Sequence, residues 1–128
     1  MSSELFDKGL VVRKEVLGAE YVEKSIKGAD DFALAMQEFA TEAAWGAIWT
    51  RPGLPRKTRS LLNIAMLTIM NRPHELKLHI RSSFTNGVTK EEIKEVLLQV
   101  SAYAGVPAGI DGFRLAREAF AEMEAAKK

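Results

Sequence analysis

The chain has 128 residues, 47% of them hydrophobic and 27% charged, with a formal net charge of +1 and no cysteine. That length suits a single domain with a real core, and the near-neutral balance gives no electrostatic drive toward nucleic acid or a membrane surface. Without cysteine there is no disulfide, no thiolate chemistry and no cysteine-ligated metal, a composition compatible with a reducing cytoplasm.

The N-terminal run MSSELFDKGL carries acids where a signal peptide needs an apolar stretch. The longest apolar patch, around Leu61 to Met70, is interrupted by Asn63 and Thr68 and is too short to cross a bilayer. The expectation is a soluble, cytoplasmic protein.

Residues 3–17 read as a helix, with Ser3 as N-cap and Gly18 as the stop. Leu5, Leu10, Val12, Val16 and Leu17 supply its apolar side, and Arg13 and Lys14 are placed on the other. A short helix follows over 19–27 and ends at Gly28. Asp30 caps a third, in which Phe32, Met36, Phe39, Ala40, Ala43 and Ala47 recur at the three- and four-residue spacing of one helical face. It runs through Trp45 and Ile48 until Pro52-Gly53 breaks it.

A fourth helix, from about Arg56 to Met70, is apolar almost all round, which predicts a central position or a partner subunit that covers it. Pro73 opens a fifth at a favoured first-turn position, with Gly87 as the stop. Thr89 and Glu92 make a capping-box pattern ahead of the cleanest stripe in the chain, Ile93, Val96, Leu97, Val100, Ser101 and Ala104. Gly105-Val106-Pro107 ends that helix, and the last spans about 107–126. No segment alternates with period two for long enough to be a strand. The expected architecture is all-α, six or seven helices in a single domain over residues 1–128.

The stretch WGAIWTRPGLPRKTR at 45–59 stands out. It holds both tryptophans, and the window 43–74 carries Arg51, Arg56, Lys57, Arg59 and Arg72 with no acid, leaving the rest of the chain net acidic. Positive charge beside rigid aromatics suits a small anion. The plainer reading is a proline-stiffened loop with core tryptophans and solvated cations.

Two histidines are present, His74 and His79. On a helix starting near Pro73, His79 shares the inward stripe with Leu76, Ile80 and Ser83, while His74 points away. An inward histidine is most often a core residue. Glu75 and Arg72 lie four and seven residues before His79, on neighbouring rows of the same side. A carboxylate one turn before an imidazole can fix its tautomer and raise its pKa, as a general acid requires. No HExxH, acidic cluster or glycine-rich fingerprint is present, so the expectation is no metal and no cofactor.

Four blocks carry a resemblance: WGAIWTRPGLPRKTRSLL at 45–62, MNRPHELKLHIR at 70–81, NGVTKEEIKEV at 86–96 and YAGVPA at 103–108. In order and spacing they resemble the 4-carboxymuconolactone decarboxylase family, within the wider alkylhydroperoxidase-like superfamily. The peroxidase branch uses a C-x-x-C pair, a glutamate and a histidine. Here the matching positions are Arg72 and Glu75 for the cysteines and Ser60 for the glutamate, so only His79 is kept and thiol peroxidase chemistry is excluded. Ala104 stands where related decarboxylases often have cysteine, and is read as packing.

The resemblance implies cofactor-independent decarboxylation of 4-carboxymuconolactone to 3-oxoadipate enol-lactone, a step of protocatechuate breakdown, with the lactone acting as its own electron sink. It implies that Arg51 and Arg59 grip carboxylates, that Arg72 grips a carboxylate or faces the developing oxyanion, and that His79, oriented by Glu75, delivers the proton. Trp45, Trp49 and Tyr103 would form dry walls. It further implies a homo-oligomer, with a hexamer favoured, whose partner is a small lactone carboxylate rather than nucleic acid or membrane. Competing readings are a non-catalytic helical module that binds a carboxylate or a partner, and an enzyme of the same fold acting on a different lactone.

Overall fold

The structure is a computed structural model that describes residues 3–127. Among these residues the chain forms seven α-helices and no strand, and divides after Pro55 into two compact units. Among the described residues no helix is long and apolar enough to cross a membrane.

The first unit starts with α1 (Glu4–Leu17), where Ser3 Oγ accepts the Phe6 N–H at 2.9 Å and Gly18, at φ 98°, ends the helix. Helix α2 (Ala19–Lys27) follows, and then α3 (Asp31–Ala40), whose orphan Ala33 N–H is satisfied by Asp30 Oδ1 at 2.8 Å. The predicted third helix does not run on regularly. Over Thr41–Gly46 it widens into a π-helical turn, in which the Ala47 N–H donates to the Glu42 carbonyl at 2.8 Å, five residues back. The Trp49 N–H does the same to Ala44 at 3.0 Å.

Two glycines explain how α1 docks on this turn. A Cβ on Gly9 would sit 2.1 Å from the Thr41 carbonyl oxygen, and one on Gly46 would sit 2.4 Å from that of Leu5. Only hydrogen at both positions lets the backbones meet. Val12, Val16, Trp45 and Trp49, with Leu17 against them, form the core of this unit.

Two expectations fail in the first unit. Arg13, assigned to the polar side of α1, is buried and donates to Thr41 Oγ1 at 3.0 Å. The α3 stripe, expected to face a core, points outward, with Phe32 91% exposed and Met36 and Phe39 each 63%. Periodicity identifies an apolar face but not what covers it.

The second unit contains α4 (Arg56–Ile69), α5 (Pro73–Ser83), a 3-10 turn at Phe84–Asn86, α6 (Lys90–Ala104) and α7 (Val106–Ala126). Ile64, Leu76, Ile80, Ile93 and Leu97 are almost wholly buried at its centre, with Val88 and Leu115 beside them. Full burial of one such side chain contributes about 1.5–3 kcal/mol. The capping box at Thr89 and Glu92 forms as predicted, both reciprocal bonds present. Gly112 brings α7 close to α4 and α6, since a Cβ there would lie 2.8 Å from Leu97 Cδ2 and 2.9 Å from Thr68 Cγ2. Helix α4 buries Ile64 but leaves Leu62, Met66 and Ile69 about half exposed, as is Met70 just after it, the expected consequence of an apolar surface on every side.

Candidate functional site

The residues singled out by sequence fall in both units. In the first, Trp45 and Trp49 stack with centroids 4.7 Å apart and an interplanar angle of 24°. They are only 6% and 7% exposed, packed with Val12 and Val16 of α1. Both tryptophans are thus part of the apolar cluster of this unit. Arg51 follows two residues later, exposed, with its backbone N–H on the Ile48 carbonyl at 3.0 Å.

In the second unit, α5 places His79 on the same side as the buried Leu76, Ile80 and Ser83, with the imidazole itself half-buried. His74 is exposed, as predicted, and lies beside Lys77 and Arg81 at the rim of a surface depression. Lys77 is tied into an exposed cluster by Glu122 at 2.6 Å and Glu118 at 3.5 Å.

Burial drives the His79 pKa down from 6.5 to about 4, and the Glu75 carboxylate one turn earlier pushes it back only in part. The sequence expectation was a pKa raised by Glu75. Its direction was right for that one interaction and wrong for the sum, because taking an imidazolium out of water costs more than an exposed carboxylate returns. At neutral pH the imidazole is uncharged.

Arg72 is the N-cap of α5, its carbonyl accepting the Leu76 N–H at 2.8 Å. It precedes the first helical residue, with φ −115° and ψ 81°, and lines a pocket of about 230 Å³ with Asn71, Leu76, Asp111 and Leu115. Neither Glu75 nor His79 lines this pocket. Arg59 is half-buried on α4. Its neighbour Ser60, at the glutamate position of the peroxidases, is fully buried and accepts the Asn86 Nδ2–H at 2.8 Å. Tyr103 is 88% exposed at the edge of an apolar groove of about 370 Å³ between α4 and α6, lined by Leu61, Leu62, Val96 and Val100.

The second unit thus brings Glu75 and His79 together on α5, with Arg72 at the N-cap of that helix and Tyr103 exposed near the end of α6. Among the described residues no group of three or more His, Asp or Glu side chains could hold a metal ion. Sequence reasoning missed Arg13 and the π-helical turn. The available signal was the pair of glycines, Gly9 and Gly46, one in each of the two segments that meet.

A helical chain with a carboxylate-flanked, uncharged histidine and no thiol is equipped for proton and carboxylate chemistry rather than for redox exchange. Residues 35–118 match the carboxymuconolactone decarboxylase family, and the chain belongs to that family, with its all-α, alkylhydroperoxidase-like fold. It is 47% identical over 118 residues to 4-carboxymuconolactone decarboxylase of Acinetobacter baylyi, covering 92% of this chain and 88% of that one. It is 44% identical over 119 residues to the nitrosuccinic acid decarboxylase of Metarhizium robertsii, covering 93% and 83%. An uncharacterized 15.0 kDa protein of Paracoccus denitrificans is 35% identical over 85 residues, covering 65% and 63%.

Proposed function

We propose that this chain is a carboxy-lyase that converts 4-carboxymuconolactone to 3-oxoadipate enol-lactone in aromatic catabolism, without a cofactor. The observation that carries this reading is the 47% identity, over nearly the whole of both chains, with an enzyme of that name.

The substrate explains the residue types. The bond from the γ-carbon to its carboxylate breaks, and the electron pair moves through the ring alkene onto the lactone carbonyl oxygen. CO2 leaves and a furan-like dienolate remains. A proton added at the α-carbon gives the enol-lactone. The protein must hold two carboxylates, stabilise the oxyanion and supply one proton.

Arg51 and Arg59 bind carboxylates, since a guanidinium meets a carboxylate through two parallel N–H donors. The firmest grip belongs on the acetate arm, because holding the departing carboxylate tightly would stabilise the ground state. Arg72 faces a carboxylate or the oxyanion, and Trp45, Trp49 and Tyr103 exclude water. His79 delivers the proton. Its low pKa in the free chain requires that the incoming dianion raise it, since two negative charges favour imidazolium.

One domain, 1–128, is supported by a family match that spans Pro55. A homo-oligomer, hexameric by family resemblance, is supported by the exposed apolar faces of α3 and of α4. A cytoplasmic location agrees with the absence of cysteine.

The second relative favours a second reading, in which the chain acts on nitrosuccinate. The two substrates share one feature. The carbon that bears the departing carboxylate also bears a CH2–COO⁻ arm and connects to an oxygen-terminated electron sink, the lactone carbonyl in one and the nitro group in the other. The test is a side-by-side assay of CO2 release from freshly generated 4-carboxymuconolactone and from nitrosuccinate. A larger kcat/KM for the lactone supports the main reading, and a larger value for nitrosuccinate replaces it with the second.

A further inference from the structure

Arg13 belongs to none of the groups considered above. The residue is 7% exposed, and among the described residues its side chain donates one hydrogen bond, from Nη1 to Thr41 Oγ1 at 3.0 Å. Its Nε–H, also buried, meets no acceptor among the described residues. Burial pulls its pKa below the ordinary arginine value, and the neighbouring Tyr21 phenol acts in the opposite direction. A buried cation with no carboxylate partner among the described residues is costly, and such groups are sometimes retained because they fix one arrangement of the chain.

What this one touches is the first residue of the π-helical turn. Thr41 Oγ1 accepts from Arg13 and donates to the Gln37 carbonyl at 2.7 Å, so one hydroxyl links α1 to the last turn of α3 where the register changes. The same turn is held at its other end by the close approach of Gly46 to the Leu5 carbonyl, and Ser3 Oγ donates to Glu42 Oε2 at 2.7 Å in between. From there a run of local bonds leads onward: Trp49 N–H to the Ala44 carbonyl, the Thr50 hydroxyl to the Gly46 carbonyl, and Arg51 N–H to the Ile48 carbonyl.

The register matters because a π-helical turn contains one residue more than an α-helical turn. If it relaxed to α-helix, everything after it would rotate by roughly 100° about the axis, the angle of a single residue. Trp45, Trp49 and Arg51 would no longer present the same faces.

We propose that Arg13 is a positioning residue: through its hydrogen bond to Thr41 it locks the π-helical turn in register and so fixes where Arg51 presents its guanidinium. Its effect on turnover rests on the function proposed above. Its effect on the turn does not. With Arg51 placed on the acetate arm, which does not react, misplacing it weakens substrate and transition state alike and raises KM more than it lowers kcat.

The test uses the chain's only two tryptophans, which lie in and just after the turn. Stacked at 4.7 Å, they give an exciton couplet in circular dichroism that reports their mutual orientation. The variants are Arg13→Met, Thr41→Val, which keeps the shape and removes the hydroxyl, and Thr41→Ser, which keeps the hydroxyl. The expected result is loss of the couplet and a KM at least ~10-fold higher, with kcat little changed, in Arg13→Met and Thr41→Val, and recovery of both in Thr41→Ser. Should Arg13→Met fail to fold, the two Thr41 variants decide. A couplet and KM unchanged in folded Thr41→Val overturn the proposal, and so does a lost couplet with unchanged KM. If the wild type does not act on the lactone, that reading of function falls, and the couplet alone decides the role of Arg13.

Discussion

Glu75 stands one turn before His79 on α5, and its charge raises the imidazole pKa against a larger downward push from burial. The pair is therefore poised rather than charged. A neutral imidazole beside a carboxylate becomes a proton donor only when further negative charge arrives, and in the proposed reaction the two carboxylates of the substrate would bring it.

This balance has a sign in stability. The unfolded histidine titrates near 6.5 and the folded one near 4, so between those values the unfolded chain binds the extra proton. The contribution of neutral His79 is complete above pH 6.5 and is lost as pH falls through about 4. The full difference is about 3 kcal/mol. Urea unfolding across this window should show the wild type losing stability more steeply than His79→Gln, and equal slopes would contradict the low pKa.

Kinetics should separate free and bound enzyme. The free-enzyme pKa appears in kcat/KM and the complex's in kcat. The kcat profile should fall above an apparent pKa well higher than the value near 4 in the free chain, and His79→Ala should lack that limb. Identical pKa values in the two profiles would mean that the substrate does not load the histidine.

Packing of α1 against the π-helical turn predicts a contrast between glycines. Gly9→Ala puts a methyl 2.1 Å from a backbone carbonyl oxygen that cannot move aside cheaply, and should cost about 3 kcal/mol or more. Gly53→Ala, with nothing within 4 Å, should change stability by less than about 0.5 kcal/mol. Chemical denaturation of both variants checks the difference.

Assembly is the fourth expectation. Met66 and Ile69 on α4 are 50% and 55% exposed. Sedimentation velocity should show a wild-type hexamer, and Met66→Lys with Ile69→Lys should shift it to smaller species. A monomeric wild type would contradict the assembly reading.

Much of the local structure was legible because it depends on neighbours in sequence. Ser3, Asp30 and Thr89 cap the helices they were expected to cap, and Gly18, Gly87 and Gly105 end or follow helices at positive φ. The inward row of Leu76, Ile80 and Ser83 came from periodicity alone. What was not legible depends on contacts distant in sequence. The burial of Arg13 requires α1 to meet Thr41, 28 residues away. The outward face of α3 looks, in sequence, like any core-facing stripe. For the site, the spacing of Glu75 and His79 was readable, whereas the desolvation that controls the imidazole was not. The reaction itself came from the four motif blocks and not from helical pattern.

The most direct test of the central claim follows CO2 release and loss of lactone absorbance with freshly generated 4-carboxymuconolactone, comparing wild type with His79→Ala and Arg51→Ala. The account predicts turnover by the wild type and a fall in kcat/KM of at least ~100-fold in each variant, about 2.7 kcal/mol of transition-state stabilisation. A folded wild type with no turnover, or variants as active as the wild type, would contradict it.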